Sequence, residues 1–477
     1  MSALPRPELL VDHGKDSTAL TYAHRVLKDA DLYFVFNEGE TPMSVDLKFD
    51  QSGTLRQWNG YTGDILEINA RAEDSYTLLH VTLAPWESRL FSIEKRAQIY
   101  NAKSLGLKGD GSLETRALQS AIDYIAQAGG GTLSLPEGRY LSGALFFPKG
   151  VNLHMAANAY LQASANMEEY PLVPTRFEGK EITWRSAFLN FNDAEGVTVS
   201  GEGTIDGNGV VWKLHPFAQG GRPRLIIFNH CDGGSIKGLK LCNQASWCLH
   251  ILYTHGFTVD GVDISVPEYV PSSDGIDIDS SSDVIVLKSS INVHDDCISI
   301  KSGKDEEGRR LGRPSEHILI EDCHFGHGHG AIAIGSEISG DVRHVLVRKC
   351  TVDAGNWSPF RFKSQPSRGG HIDDICFEDV NFEGVKNVFD INMDWRSGSQ
   401  RDSVFVYADE LTSLSNIRFV RCSGVAEGMG SINGYRQTPI SREAIRFEDC
   451  HFIARRKLKL TNAQISSKGI NIKIIKE

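Results

Sequence analysis

The chain has 477 residues, a formal net charge of −11, 40% hydrophobic residues and 23% charged residues. This composition is typical of a globular protein, and the length is sufficient for two domains. The acidic balance argues against nucleic acid as a partner, and the sequence has no apolar run near the roughly 20 residues that span a membrane.

Residues 1–95 are predicted to form a small β-sandwich. The runs ADLYFVFNEG, MSVDLKFD and YTLLHVTLAP alternate or are rich in β-forming residues, and Gly, Asn and Pro separate them. Such runs are typical of short antiparallel strands packed in two sheets. The segment SIEKRAQIYNAK is the predicted boundary, so residues 96–477 form a second domain.

One helix is predicted at the start of the second domain. In the run DGSLETRALQSAIDYIAQAGGG the apolar residues Leu118, Ala121, Ile122 and Ile125 follow helical spacing, and Gly129 is a natural end. The next run, TLSLPEGRYLSGALFF, indicates strands. A single helix in front of a long β region is expected to cap the exposed end of that region.

The rest of the chain repeats one strand-like segment, as in ILIEDCHF (318–325) and VLVRKCTV (345–352). A small or apolar residue recurs in it at spacings of 23 to 42 residues, at Leu239, Val262, Ser290, Cys323, Cys350, Val380, Cys422 and Cys450. This period, without interleaved helices, predicts a parallel β-helix. The nine cysteines lie mostly in such segments, which indicates buried thiols and not disulfides or a metal site.

Four short motifs fall on successive coils of this predicted β-helix. SDGIDI (273–278) aligns with DDCISI (295–300) at an offset of 22, and HGAIAIGS (329–336) and FRFKS (360–364) each follow about one coil later. Stacked strands lie about 4.8 Å apart. The alignment therefore brings together residues 273–274, 295–296, His329, and Arg361 with Lys363.

Side chains alternate along a strand, so the isoleucines of these motifs are expected to point inward. Asp277, Asp279 and Lys301 are then expected to face outward on a groove. Tyr269, five residues before Asp274, is the better aromatic candidate for a groove wall. Trp247 is interpreted as a packing residue.

The clustered carboxylates indicate a glycosidase. Like charges at short distance raise one another's pKa, and glycoside hydrolysis uses one protonated carboxyl and one ionised carboxylate. Arg361 and Lys363 on one strand face suit an anionic sugar, since a guanidinium holds a carboxylate through two hydrogen bonds.

At these residues the sequence resembles the polygalacturonases, the family 28 glycoside hydrolases that act on pectin. The motifs SSDG (272–275), DDC (295–297), GHG (328–330) and RFK (361–363) correspond to the four motifs of that family, over roughly residues 98–455. The first motif departs from the usual Asn-Thr-Asp-Gly. The resemblance implies a right-handed parallel β-helix that hydrolyses α-linked galacturonan with inversion and needs no metal or other cofactor.

Carried over residue by residue, the resemblance implies that Asp295 is the general acid. Asp274 and Asp296 would hold and activate the water, and His329 would support the acid and the sugar hydroxyls. Arg361 and Lys363 would bind the galacturonate carboxylate, with Lys301, Asp277 and Tyr269 as further substrate-binding candidates. Because the motif reads GHGHG, His327 is the alternative to His329.

Several questions stay open at this level. The insertions at 166–188 and 303–317 favour exo-action on a galacturonate-containing chain, while rhamnogalacturonan and xylogalacturonan remain alternative substrates. A polysaccharide lyase with Ca²⁺ at the aspartates and a non-catalytic pectin-binding β-helix are the alternatives of other classes. The amino terminus lacks the apolar core of a signal peptide. Localisation is unknown: the resemblance favours a secreted or periplasmic protein, and a cytoplasmic one is an alternative.

Overall fold

The computed structural model describes residues 9–12, 19–27, 30–51, 53–60, 62–73, 76–95, 98–213, 220–396 and 406–475. The chain divides into two compact units, Met1–Gln98 and Ile99–Glu477. Within the described ranges, no helix has the length and apolar character needed to span a membrane.

The first unit contains two antiparallel sheets around one apolar core. Val35 and Phe91 of one sheet belong to the same buried cluster as Leu47 and Val81 of the other, which confirms the predicted β-sandwich. The smaller sheet has the order Leu9–Asp12, Met43–Phe49, Tyr76–Leu83, Arg71–Glu73. The larger sheet has the order Leu20–Val26, Ala30–Asn37, Ser88–Lys95, Gly53–Trp58, Ile65–Glu67.

The second unit is a right-handed parallel β-helix, as predicted, because strands of successive coils pair in parallel. One sheet has twelve strands: Ile99–Asn101, Gly131–Leu135, Val151–Met155, Glu195–Gly201, Asp232–Lys237, His255–Asp260, Ser282–Leu287, Ser315–Glu321, Val342–Arg348, His371–Glu378, Ser413–Val420 and Ile445–Glu448. The other sheet has twenty-two strands: Asp110–Leu113, Gly138–Ser142, Leu145–Phe147, Ala159–Ala163, Leu189–Asn192, Thr204–Asp206, Ile226–Asn229, Lys240–Cys242, Leu249–Leu252, Asp263–Ser265, Ile276–Asp279, Ser290–Asn292, Asp296–Lys301, His324–Phe325, Gly330–Ile334, Thr351–Val352, Phe360–Lys363, Asn381–Asn392, Ser423–Asn433, Cys450–Arg456, Lys459–Thr461 and Ile470–Ile474.

Two helices and one hairpin complete the described part of the second unit, beside short 3₁₀ turns at Ala102–Leu105, Met167–Glu169 and Gly209–Trp212. Helix α1 spans Thr115–Gln127 and contacts the first strands of the β-helix. Its buried residues are the four predicted ones, which join the core of the second unit. Helix α2 spans Asp305–Leu311, and the antiparallel hairpin pairs Leu172–Phe177 with Lys180–Arg185.

The register confirms the predicted stacking of the four motifs. Ile276 lies opposite Ile298, Ile298 opposite Ile332, and Ile332 opposite Phe360. The first of these offsets is 22 residues, and all these apolar side chains are buried in the core. The outward-pointing residues between them therefore stack along one face of the β-helix.

One repeat was aligned wrongly from the sequence. Ser290 pairs with His324, so Ser289 is the residue level with Cys323. Ser289 is buried, whereas Ser290 is half-buried, because a shift of one residue along a strand exchanges its two faces. All nine cysteines are free thiols, and eight of them are buried, as predicted.

Candidate active site

The outward face of the stacked strands carries a cavity of about 370 Å³ in the second unit. It is lined by Glu178, Trp247, Ser272, Asp274, Asp295, Asp296, Lys301, His329, Ser336, Glu337, Arg361, Lys363, Trp395 and Arg396. Seven of the nine residues predicted to be catalytic or substrate-binding therefore meet here. The other two, Asp277 and Tyr269, do not line the cavity.

Three carboxylates form the centre of this cavity. Asp274, Asp295 and Asp296 each place an oxygen within 4.8 Å of the other two. Asp274 and Asp296 are buried, whereas the side chain of Asp295 is 27% exposed. The strands explain the proximity, since Asp274 and Asp296 occupy equivalent positions of adjacent coils and Asp295 precedes Asp296.

The surroundings of Asp274 and Asp296 shift the pKa values of these two carboxyls in opposite directions. Burial, together with the charges of Asp277 and Asp295, raises the pKa of Asp274 well above its usual range. Burial also opposes ionisation of Asp296, but Lys363 and Arg361 hold its pKa below the usual range. The cavity thus contains one carboxyl that retains its proton and one that is ionised.

His329, and not His327, contacts the carboxylates. Its Nδ1 lies 3.1 Å from Oδ1 of Asp295, and its backbone N–H donates to the Asp295 carbonyl at 2.9 Å. The hydrogen bond to Asp295 raises the pKa of His329. The ring of His327 instead lies 3.0 Å from the carbonyl oxygen of Val293.

Arg361 and Lys363 line the cavity from the strand Phe360–Lys363. Arg361 Nη1 is 3.0 Å from Asp296 Oδ1, and its Nε is 3.1 Å from Asp390 Oδ2. Lys363 Nζ is 2.5 Å from Asp296 Oδ2 and lies over the ring of Trp395. Both cations therefore already compensate one carboxylate, and an anionic ligand would share them with Asp296.

Lys301 lines the cavity, but the expectation that Asp277 and Asp279 face a groove is wrong. Both aspartates are fully buried. Lys301 Nζ lies 3.4 Å from Asp277 Oδ1 and 3.6 Å from Glu337 Oε2, so Lys301 separates Asp277 from the cavity. Burial raises the pKa of Asp277 to about 8, with Lys301 opposing the shift. The predicted contact between Asp277 and a substrate therefore has no basis in this geometry.

The hairpin covers Asp279. Arg176, from strand Leu172–Phe177, places Nη1 3.1 Å from Asp279 Oδ1 and its guanidinium over the ring of Tyr253. Arg224 Nη1 donates to the Arg176 carbonyl at 2.8 Å. Burial alone would favour the neutral acid, but Arg176 holds the pKa of Asp279 below its usual range. Asp279 thus fixes the hairpin over the strand and does not contact the cavity.

The two aromatic residues considered for the groove, Trp247 and Tyr269, lie in different environments. Trp247 is buried and stacks on Phe177 at a centroid distance of 4.5 Å, which agrees with the packing interpretation, although its edge reaches the cavity. Tyr269 is 61% exposed and contacts the ring of His294. Its role in substrate binding stays a prediction.

Sequence reasoning missed Glu178 and Glu337, which both line the cavity. Glu337 lies outside the quoted motifs, directly after HGAIAIGS, and Lys301 is the largest of the charges that lower its pKa to about 2 against the effect of burial. Glu178 lies in the insertion at 166–188. The run LVPTRFEGKEITWR around it has the alternation of a hairpin, which was the available signal.

The family model "Glycosyl hydrolases family 28" matches residues 141–427, more than half of the chain. The chain belongs to this family. The match contains all four motifs and every strand that contributes to the cavity, so the family and the geometry identify the same region.

Family 28 relatives include a probable polygalacturonase of Vitis vinifera, 29% identical over 326 residues. That alignment covers 65% of this chain and 64% of the Vitis protein, slightly less than two thirds of its length. An exopolygalacturonase of Platanus acerifolia is 25% identical over 70% of this chain and 85% of its own length.

Among solved structures, a hyperthermoactive exopolygalacturonase from Thermotoga maritima superposes with a TM-score of 0.72 and 25% identity. This superposition covers 79% of this chain and 92% of the Thermotoga chain. A family 28 exopolygalacturonase from Yersinia enterocolitica superposes with a TM-score of 0.63 at 17% identity. This match covers 95% of this chain and 84% of that chain, and it supports the fold alone.

Proposed function

We propose that this chain is a glycoside hydrolase that releases galacturonate from the ends of α-linked galacturonan chains. The observation that carries this proposal is the cavity in which three clustered aspartates meet Arg361 and Lys363, with the pKa of Asp274 raised and that of Asp296 lowered. Carboxyls that differ in protonation can supply an acid and a base, and the two cations suit a uronate. The family 28 relatives from Vitis vinifera and Platanus acerifolia are named as polygalacturonases, which supports the same substrate class.

In this proposal Asp295 protonates the leaving glycosidic oxygen. It is the most accessible member of the trio, and His329 is positioned to stabilise it as it becomes ionised. Asp296, ionised by its two cations, activates the water together with Asp274. Burial raises the pKa of Asp274, and one of its oxygens lies within 4.8 Å of Asp295, so we expect Asp274 to pass its proton to Asp295 before catalysis.

Inversion at the anomeric carbon is proposed from the family resemblance. Inverting enzymes usually separate their two carboxyls by about 6.5–9.5 Å and retaining enzymes by about 5–5.5 Å. The closest oxygens of the three aspartates lie within 4.8 Å of one another, so spacing does not favour inversion here. The anomer of the released sugar is therefore a separate measurement.

Exo-action is supported by the two inserted segments beside the cavity. The backbone N–H of Lys304 donates to the Gly179 carbonyl at 3.0 Å, and the N–H of Glu181 donates to Glu307 of helix α2 at 3.3 Å. These contacts join the second insertion to the hairpin, whose turn residue Glu178 lines the cavity. A volume of about 370 Å³ is at the small end for ligand sites, roughly 300–1,000 Å³, which suits a chain end better than a polymer.

Time-resolved product analysis on polygalacturonate, rhamnogalacturonan and xylogalacturonan tests the proposal. We expect early release of saturated galacturonate monomer from polygalacturonate, observed as a single anomer by NMR. Asp295→Asn should abolish this release, whereas Asp353→Asn, an exposed aspartate paired with His324, should not. Mixed oligomers from the start would refute exo-action. An unsaturated product that requires Ca²⁺ would indicate a lyase, and binding without turnover a non-catalytic protein.

A further inference from the structure

The hairpin over the cavity reverses through Glu178 and Gly179, which link the paired residues Phe177 and Lys180. Both turn residues have positive φ, 46° and 74°. Two-residue turns of this kind, type I′, favour Asn, Asp or Gly at both positions. A glutamate with φ > 0 is unfavourable by about 1–3 kcal/mol.

The tip of this hairpin is fixed in place. A Cβ built on Gly179 would lie 2.7 Å from Cβ of Lys304 and 2.8 Å from Cγ of Glu337. The hydrogen bond from the Lys304 N–H to the Gly179 carbonyl adds to this packing. The tip therefore holds Glu178 in the cavity wall at a defined position.

The carboxylate of Glu178 is available for a ligand. Its side chain is exposed and lines the same cavity as the three aspartates. Glu337 beside it is engaged by Lys301 at 3.6 Å, whereas the described residues provide neither an ion pair nor a hydrogen bond to the carboxylate of Glu178. The carboxylate of Glu178 can therefore accept hydrogen bonds from a ligand in the cavity.

Substrate chemistry identifies that role. In a 4-linked galacturonan the 4-hydroxyl is free only on the terminal unit at the non-reducing end, where it stands beside the 3-hydroxyl. A carboxylate offers two acceptor oxygens that can bind two adjacent hydroxyls. Its negative charge, with that of Glu337, also opposes a further uronate beyond this position.

We propose that Glu178 is the specificity-determining residue that recognises the terminal galacturonosyl unit through its free 4-hydroxyl. This inference rests on the proposed function and adds the residue that distinguishes a chain end from an internal unit. A site that hydrogen-bonds a substrate hydroxyl discriminates against an analogue that lacks this hydroxyl. Glu178 is not required for proton transfer in this scheme.

The test compares trigalacturonate with the same trisaccharide carrying a 4,5-unsaturated terminal unit, which has lost the 4-hydroxyl. We expect wild type to prefer the saturated substrate in kcat/KM by about 10- to 100-fold, the range for a hydrogen bond to a charged group. Glu178→Gln should lose most of this preference by slowing only the saturated substrate. Lys180→Gln, an exposed change beside the same turn, should keep it.

Glu178→Asn tests substrate recognition separately from the stability of the turn. Asparagine suits a type I′ turn better than glutamate, so Tm should be unchanged or higher while the preference is lost. A lower Tm, or equal losses on both substrates in Glu178→Gln, would overturn the proposal in favour of a structural role. If wild type cleaves neither trisaccharide, the proposed function fails. The role of Glu178 is then tested by equilibrium binding: wild type should bind the saturated trisaccharide more tightly than the unsaturated one, and the Glu178 variants should not.

Discussion

The two buried aspartates of strand Ile276–Asp279 should respond to pH in opposite ways. Asp277 and Asp279 are both fully buried and two residues apart, yet burial raises the pKa of Asp277 to about 8 while Arg176 lowers that of Asp279. Because folding raises the pKa of Asp277, this group stabilises the folded state fully at pH values below its unfolded pKa, near 4. That stabilisation is lost as the pH rises to the folded pKa of about 8. A lowered pKa contributes stability above the unfolded value that is lost only in acid.

The expected magnitude follows from linkage. One group that binds a proton only in the folded state changes the free energy of unfolding by about 1.4 kcal/mol per pH unit. Between pH 5 and pH 7, Asp277→Asn should therefore gain about 2–3 kcal/mol relative to wild type, because an amide keeps the shape without the proton. Asp279→Asn should be destabilised by about 3–5 kcal/mol at both pH values, since Arg176 loses a buried partner.

Urea unfolding of wild type and both variants at pH 5, 6 and 7 and constant ionic strength measures these differences. Tryptophan fluorescence reports on the second unit, where Trp247 packs against the ring of Phe177 and lies under Lys301. A constant difference between Asp277→Asn and wild type across this range would refute the argument that Asp277 is protonated when folded. A pH-dependent difference between Asp279→Asn and wild type would contradict the pairing of an ionised Asp279 with Arg176.

Three further changes test the cavity. Arg361→Lys should lower kcat/KM roughly 10- to 100-fold, because an ammonium cannot replace guanidinium contacts to both Asp296 and Asp390; steady-state kinetics that match wild type would contradict this. Gly179→Ala should destabilise the second unit by about 1–3 kcal/mol, because the added Cβ would meet Lys304. Calorimetry measures this change, and an unchanged Tm would mean that the hairpin tip is mobile. A chelator should leave galacturonate release unchanged, and lost activity that Ca²⁺ restores would reassign the aspartate trio to metal binding.

The protonation pattern also explains why the cluster is tolerated. Three carboxylates this close would repel one another if all were ionised. Lys363 and Arg361 compensate Asp296, while Asp274 retains its proton. The same arrangement leaves Asp295, the most accessible of the three, next to His329.

The repeat and the four motifs were readable because both depend on local patterns. Alternation along each strand and the spacing between coils determine which side chains share a face, so the stacking of the four motifs on successive coils could be predicted. The buried face of helix α1 followed from its 3.6-residue period in the same way. The slip at Ser290 shows the limit of this reasoning where the repeat is weak.

Only the tertiary structure decided what covers the outward face. Alternation gave the correct direction for Asp277 and Asp279, but it carries no information on a hairpin inserted about a hundred residues earlier. That hairpin buries Asp279 under Arg176 and brings Glu178 into the cavity. Contacts between distant segments depend on how insertions fold back over the coils, and the period of a strand does not encode them.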